Sequence, residues 1–199
     1  MPDRRDTASY GDLPLGEFLE RVASREPAPA GGSVAAVAVS LAAGLVAMAA
    51  RFSAAQLDDD GATAEVADSL RLRALALADA DADTYGEVLA AYRLSRDDPA
   101  RREEEVRRAL ERASAVQVDV AEAGGEAADL AARLATVGKP DVRGDAAVGL
   151  TLAEAAVRSA ADLVAINVNE GGCDLDLLDR VGRSLDRTRS TARSADSSD

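Results

Sequence analysis

Apolar residues recur along the chain at the spacing of α-helices. In the first such segment, Leu15, Phe18, Leu19 and Val22 fall on one helical face. Acidic stretches and stretches with glycine or proline separate the segments and mark where helices end. The pattern predicts six helices, at approximately residues 14–23, 33–51, 62–94, 98–137, 144–167 and 174–188.

The second segment differs from the others because it carries no charge from Pro27 to Ala50, in a chain whose residues are 30% charged. Its residues are apolar or small on every side, so we expect a helix that is buried all round, with Ser33 as its N-cap. A membrane span is the alternative. The run is rich in Ala, Gly and Ser and lacks a flanking aromatic belt, and small residues at Ala36, Ser40 and Gly44 favour close packing in a soluble core.

Composition supports one all-α domain. The chain has 199 residues, of which 47% are hydrophobic and only 3% aromatic. The fold class that we predict is a compact bundle of about six helices around a buried central small-residue helix, spanning residues 13–188 between mobile ends at 1–12 and 189–199. The pair Gly124-Gly125 is expected to kink or interrupt the fourth helix.

The net charge limits the possible binding partners, and the cysteine content indicates the cellular location. The net charge of −13 makes nucleic acid a poor partner. The N-terminus has no apolar signal segment and Cys173 is alone, so we expect a cytoplasmic protein without an internal disulfide or a membrane anchor. Because Ala-rich helices bury little side-chain volume each, we also expect a homodimer.

The chain contains no histidine. This excludes most zinc sites and every nucleophile that a histidine activates. We expect no metal site and no permanently bound cofactor. Acid–base chemistry must come from Asp, Glu, Tyr, Lys139 or Cys173.

Three aspartates, Asp79, Asp81 and Asp83, lie in the predicted third helix. At about 100° per residue, Asp81 lies only about 40° from Leu77 and Tyr85 of the apolar stripe, whereas the other two point about 160° away. Asp81 is therefore predicted to be buried. A buried carboxylate has either a partner or a chemical role, and a structural pairing or a helix cap is the alternative to catalysis.

The same periodicity singles out Asp145, which is followed at core-facing spacing by Gly149, Leu152, Ala156 and Leu163. It is either a second buried carboxylate or the N-cap of the fifth helix. Asn167 falls on the same face and Gln117 on the inner stripe of the fourth helix, and both are consistent with core polar groups that have hydrogen-bond partners. The turn Gly31-Gly32-Ser33 exposes helix N-terminal N–H groups that suit an anion, although a capped core helix without a ligand is the alternative.

Three stretches in this order resemble the cyclodeaminase/cyclohydrolase family: residues 18–53 with the turn PAPAGGS, residues 81–94 (DADTYGEVLAAYRL) and residues 144–168. The family includes the cyclodeaminase part of formiminotransferase-cyclodeaminase and bacterial methenyltetrahydrofolate cyclohydrolases. The resemblance implies an all-α dimer that acts on a one-carbon derivative of tetrahydrofolate, its folate-type small-molecule substrate. The reaction is either water addition to a methenyl bridge or closure of a formimino group with loss of ammonia.

Both reactions need an acid–base group beside a cationic amidine-like carbon, so Asp81 and Asp145 suit the chemistry. Substrate binding is then expected at Pro29, Gly31, Gly32, Ser33, Tyr85, Lys139 and Asn167. Three positions depart from the family pattern: Ala30 stands in place of a glycine, Lys139 in place of an asparagine, and Gln117 where a proline is common. The alternatives are an enzyme of the same fold for another cyclic iminium or amidine substrate, and a non-catalytic helical dimer that binds a ligand.

Overall fold

Helices make up nearly all of the chain that the computed structural model describes, which comprises residues 9–95 and 97–196. Short 3₁₀ turns occur at Tyr10–Asp12 and Pro140–Val142. No strand occurs within the described ranges. The α-helices are α1 (Leu15–Val22), α2 (Gly31–Phe52), α3 (Ala54–Leu57), α4 (Ala62–Tyr92), α5 (Pro99–Val137), α6 (Arg143–Gly171) and α7 (Asp176–Asp196).

The six predicted helices are present, and the one-turn helix α3 is added between the second and the third. The all-α prediction is confirmed, but the predicted start of α2 is wrong. This helix begins at Gly31 with Ala30 as a cap that offers no side-chain oxygen, while the Ser33 hydroxyl points across to α4. Of the ends predicted to be mobile, residues 1–8 and 197–199 lie outside the described residues, and α7 continues through residues 189–196.

The four long helices α2, α4, α5 and α6 alternate in direction. For each pair of neighbouring helices, two contacts establish this, because the residue numbers rise along one helix as they fall along the other. The contacts are Ser33–Asp81 and Ser40–Arg71 between α2 and α4, Asp81–Gln117 and Arg73–Glu126 between α4 and α5, and Gly124–Val157 and Leu110–Gly171 between α5 and α6. Helix α7 runs antiparallel to α6 and covers the groove between α5 and α6. The alternation brings the start of α2 beside the end of α6.

Helix α5 is continuous through Gly124 and Gly125, so the predicted interruption is wrong. A Cβ added to Gly124 would lie 2.6 Å from Cγ2 of Val157 and 3.3 Å from Cγ2 of Val39. Glycine is needed here because α2 and α6 both approach the α5 backbone closely. Glycine therefore serves helix packing rather than a break in the helix.

Helix α2 buries one stripe against α4, α5 and α6. It is the one helix in the described ranges that is long and apolar enough to cross a membrane, and more than half of its most apolar stretch is buried inside the fold. The expectation of burial on every side is wrong for the single chain. A second stripe, the α2 outer stripe, is exposed or half-buried and consists of Val34, Val37, Ala38, Leu41, Gly44, Leu45, Met48 and Phe52.

Candidate functional site

A cavity of about 400 Å³ lies at the end of the bundle where α2 begins and α6 ends. This volume falls within the range of small-molecule sites. Four helices and the turn before α2 contribute to its wall. Its lining residues are Ala30, Gly31, Gly32, Asp81, Tyr85, Val88, Leu89, Tyr92, Leu110, Ala113, Gln117, Leu163, Ile166, Asn167 and Glu170.

Asp81 is the buried carboxylate of this cavity, at 9% exposure. Helical periodicity turns it inward, whereas Asp83 is exposed and Asp79 is half-buried on another face of α4. Its Oδ1 accepts a hydrogen bond from Nε2 of Gln117 at 2.7 Å, and its Oδ2 accepts one from the Ser33 hydroxyl at 2.9 Å. The predicted burial of Asp81 is confirmed, and α2 and α5 supply its partners.

The Ser33 hydroxyl lies within hydrogen-bond distance of two acceptors, Oδ2 of Asp81 at 2.9 Å and the carbonyl oxygen of Ala78 at 3.0 Å. A hydroxyl has only one hydrogen to donate. When Asp81 is ionised, Ser33 donates to either oxygen. When Asp81 is protonated, it can donate to Ser33 while Ser33 donates to Ala78, so the arrangement accommodates both protonation states.

Burial is the main influence on the acidity of Asp81. Loss of hydration raises the pKa of the Asp81 carboxyl, and the hydrogen bonds from Ser33 and Gln117 lower it in part. The net direction is upward. A carboxyl group with a raised pKa binds and releases a proton more readily near neutral pH than an exposed one.

Gly32 is required by the closeness of α2 to this pair. A Cβ at Gly32 would lie 2.1 Å from Oδ1 of Asp81 and 2.3 Å from Nε2 of Gln117. A Cβ at Gly31, which also lines the cavity, would meet nothing within 4 Å. Only glycine therefore leaves room for the hydrogen-bonded pair this close to α2.

The far end of the cavity is formed by Tyr92 and Glu170. The Tyr92 hydroxyl donates to Oε1 of Glu170, and this hydrogen bond raises the pKa of Tyr92 to about 12. Arg102 donates to the Tyr92 carbonyl oxygen at 3.2 Å, and its guanidinium carbon lies 5.7 Å from the centre of the Tyr92 ring. Tyr92 and Glu170 also line a neighbouring cavity of about 620 Å³.

Sequence reasoning did not assign these two residues to the site, although signals were present. Tyr92 is eleven positions after Asp81 on the same apolar stripe, and Glu170 is three positions after Asn167 on α6. Gln117 was interpreted as a core polar group with hydrogen-bond partners. Its contact with Asp81 depends on how α4 and α5 are aligned, which spacing within one helix does not reveal.

Of the nine residues expected in the site, five line the cavity: Gly31, Gly32, Asp81, Tyr85 and Asn167. Ser33 lies behind Asp81 and supports it. Pro29 is buried but is not among the lining residues.

Asp145 and Lys139 lie at the opposite end of the bundle. Asp145 is exposed in the first turn of α6, so its predicted place in the core is wrong, and the cap of that helix is Val142. Asn167 follows Asp145 by 22 residues on the same helix, which separates the two by about 33 Å at a rise of about 1.5 Å per residue. Lys139 pairs with Asp141 at 2.9 Å. Within one chain, neither residue reaches Asp81.

Comparison with known proteins adds independent information. The family described as formiminotransferase-cyclodeaminase matches this chain over residues 14–176. A methenyltetrahydrofolate cyclohydrolase from Methylorubrum extorquens is 29% identical over 173 residues, which are 82% of this chain and 82% of that protein. The crystal structure of formiminotetrahydrofolate cyclodeaminase from Thermotoga maritima superposes with a TM-score of 0.79 at 26% identity, covering 93% of this chain and 92% of that one. The family match includes every helix that lines the cavity.

Proposed function

Because this chain belongs to the formiminotransferase-cyclodeaminase family, we propose that it is an enzyme of one-carbon tetrahydrofolate chemistry with Asp81 as its acid–base group. The reaction is either the hydrolysis of a methenyl bridge or the closure of a formimino group with release of ammonia. Relatives of comparable identity carry each of these two activities. The observation that carries the proposal is a buried carboxylate, held by two donors, at the wall of a cavity of substrate size.

In the hydrolysis, water attacks the cationic methenyl carbon between N5 and N10 of the folate. The water oxygen forms the new C–O bond, and Asp81 accepts one of the two water protons. The carbon–N5 bond then breaks, N5 keeps the bonding electron pair, and the proton on Asp81 passes to N5. The product is 10-formyltetrahydrofolate, and the second proton of the water is released to solvent. The ionised carboxylate also stabilises the cation before attack.

In the cyclodeamination, N10 attacks the carbon of the protonated formimino group on N5. Asp81 takes the proton that N10 loses and delivers it to the formimino nitrogen. The carbon–nitrogen bond then breaks and ammonia departs with the electron pair, leaving the methenyl bridge. In both reactions the same carboxyl group therefore accepts a proton from the attacking atom and donates it to the leaving nitrogen.

The test is to supply both folates to the protein and to follow the absorbance of the methenyl bridge. Loss of absorbance faster than in buffer supports hydrolysis, and a gain from formiminotetrahydrofolate with stoichiometric ammonia supports cyclodeamination. If neither folate is converted above background, the proposal is wrong. A same-fold enzyme for another amidine substrate, or a non-catalytic binding protein, would then replace it.

We further propose that the protein is a homodimer whose interface includes the α2 outer stripe. Val34, Leu41 and Phe52 of this stripe are exposed in the single chain, and the exposed fraction of Leu41 is 59%. The stripe carries no charged side chain. A second copy offers the same apolar surface across a twofold axis, which would remove it from water.

A further inference from the structure

The side-chain amide of Gln117 has two ends in different situations. Its Nε2 donates to Oδ1 of Asp81 at 2.7 Å. Its Oε1 is buried and receives no hydrogen bond from any residue that the structure describes. Gln117 is only 2% exposed and belongs to the cavity wall. The protein therefore holds a buried acceptor without a donor beside its candidate acid–base group.

The orientation of this amide is determined by its neighbours. Turning it over would place Oε1 against the ionised carboxylate of Asp81, so that two acceptors would face each other. The amide also lies close to α2, since a Cβ at Gly32 would be 2.3 Å from Nε2. A buried acceptor without a donor is unfavourable, and a bound group that supplies a hydrogen removes this penalty.

We infer that Oε1 of Gln117 and the carboxylate of Asp81 form an acceptor pair that holds one bound atom carrying two hydrogens. This inference rests on the proposed function, in which that atom is the leaving nitrogen of the formimino group or the oxygen of the water that attacks the methenyl carbon. Each carboxylate oxygen has a second lone pair, so Asp81 can accept from this atom while keeping its bonds to Ser33 and Gln117. Gln117 is thus a positioning and specificity residue for the transferred hydrogens.

The variant Gln117→Met tests the pair, because methionine fills a similar volume and has no strong donor or acceptor. Its matched control is Ser33→Ala, which also removes one donor to Asp81 but leaves Oε1 of Gln117 in place. Both losses are expected to move the pH midpoint of the activity upward, since each donor lowers the pKa of Asp81. Circular dichroism checks that both variants fold, and Gln117→Leu serves if the methionine variant does not.

Beyond that common shift, we expect Gln117→Met to lower kcat/KM at its own optimal pH about ten- to a hundredfold more than Ser33→Ala, which is the effect of leaving one buried hydrogen bond unmade. If the held atom is the leaving nitrogen, the extra loss falls on formiminotetrahydrofolate. If it is the attacking water, the loss falls on methenyltetrahydrofolate. Equal losses in the two variants on both folates would overturn the acceptor role alone. A parent protein that converts neither folate would overturn this inference together with the proposed function.

Discussion

Replacing Asp81 by asparagine removes the charge and the transferable proton while the surrounding hydrogen bonds are kept. The Asn oxygen can accept from Nε2 of Gln117, and the Asn nitrogen can donate to the Ser33 hydroxyl, which then donates to the carbonyl of Ala78. This is the arrangement available to the protonated aspartic acid. Asp81→Asn is therefore expected to fold normally with an unchanged cavity.

The expected loss of turnover is about 10²–10⁴-fold, the contribution of a positioned acid–base group, which corresponds to about 3–5 kcal/mol in the activation barrier. The matched control is Asp83→Asn, the same substitution two residues later on the exposed face of α4. It should leave turnover unchanged. Initial rates with both folates, measured by the methenyl absorbance, give the comparison.

Stability provides a second readout of the same variant. Burial raises the pKa of Asp81 in the folded protein, so the folded state binds this proton more tightly than the unfolded chain does. The resulting stabilisation is fully present below the unfolded-state pKa and is lost as the pH rises through the folded-state value. At neutral pH, Asp81→Asn should therefore be at least as stable as the parent, with the difference shrinking in acid. An Asn variant that folds and retains parental turnover refutes the catalytic role, and one that is markedly less stable at neutral pH refutes the burial argument.

Three further outcomes follow from the packing. Gly32→Ala should reduce turnover by about tenfold or more, because its Cβ would lie 2.1 Å from the site carboxylate. Gly86→Ala, on α4 outside the cavity lining, should not, because its Cβ meets nothing within 4 Å; similar rates for the two would contradict the required closeness. Leu41→Glu should sediment at the monomer mass of 20.5 kDa, while the parent and the exposed control Leu175→Glu sediment at about twice that; a monomeric parent at micromolar concentration would rule out the dimer. Gly124→Ala should lower the free energy of unfolding by about 1–3 kcal/mol in urea titrations through overpacking; no change would mean that α6 yields readily.

Much of the site followed from the sequence where the argument was local. Asp81 and Tyr85 were assigned to the inner face of one helix from their angular positions alone, and both line the cavity. Only Asp81 is buried as predicted, because Tyr85 lies at the cavity rim with 37% of its surface exposed. The prediction that Asp145 is buried was wrong for a local reason as well. Its spacing places it on the apolar face of α6, but it lies in the first turn of the helix, where it is exposed. Ser33 was predicted to cap α2, but Ala30 is the cap residue, and the Ser33 hydroxyl instead donates a hydrogen bond to Asp81.

The pattern of apolar residues by itself determined that the chain is helical and where its six main helices lie. These properties depend on residues three or four positions apart, which interact within a single helix. Which ends of the helices meet was decided only in the tertiary structure. The alternating directions of α2, α4, α5 and α6 bring Gln117 to Asp81 and leave Lys139 and Asp145 at the far end. The physical reason is that contacts between helices depend on how whole faces pack against each other, and periodicity within one helix is the same for every such alignment.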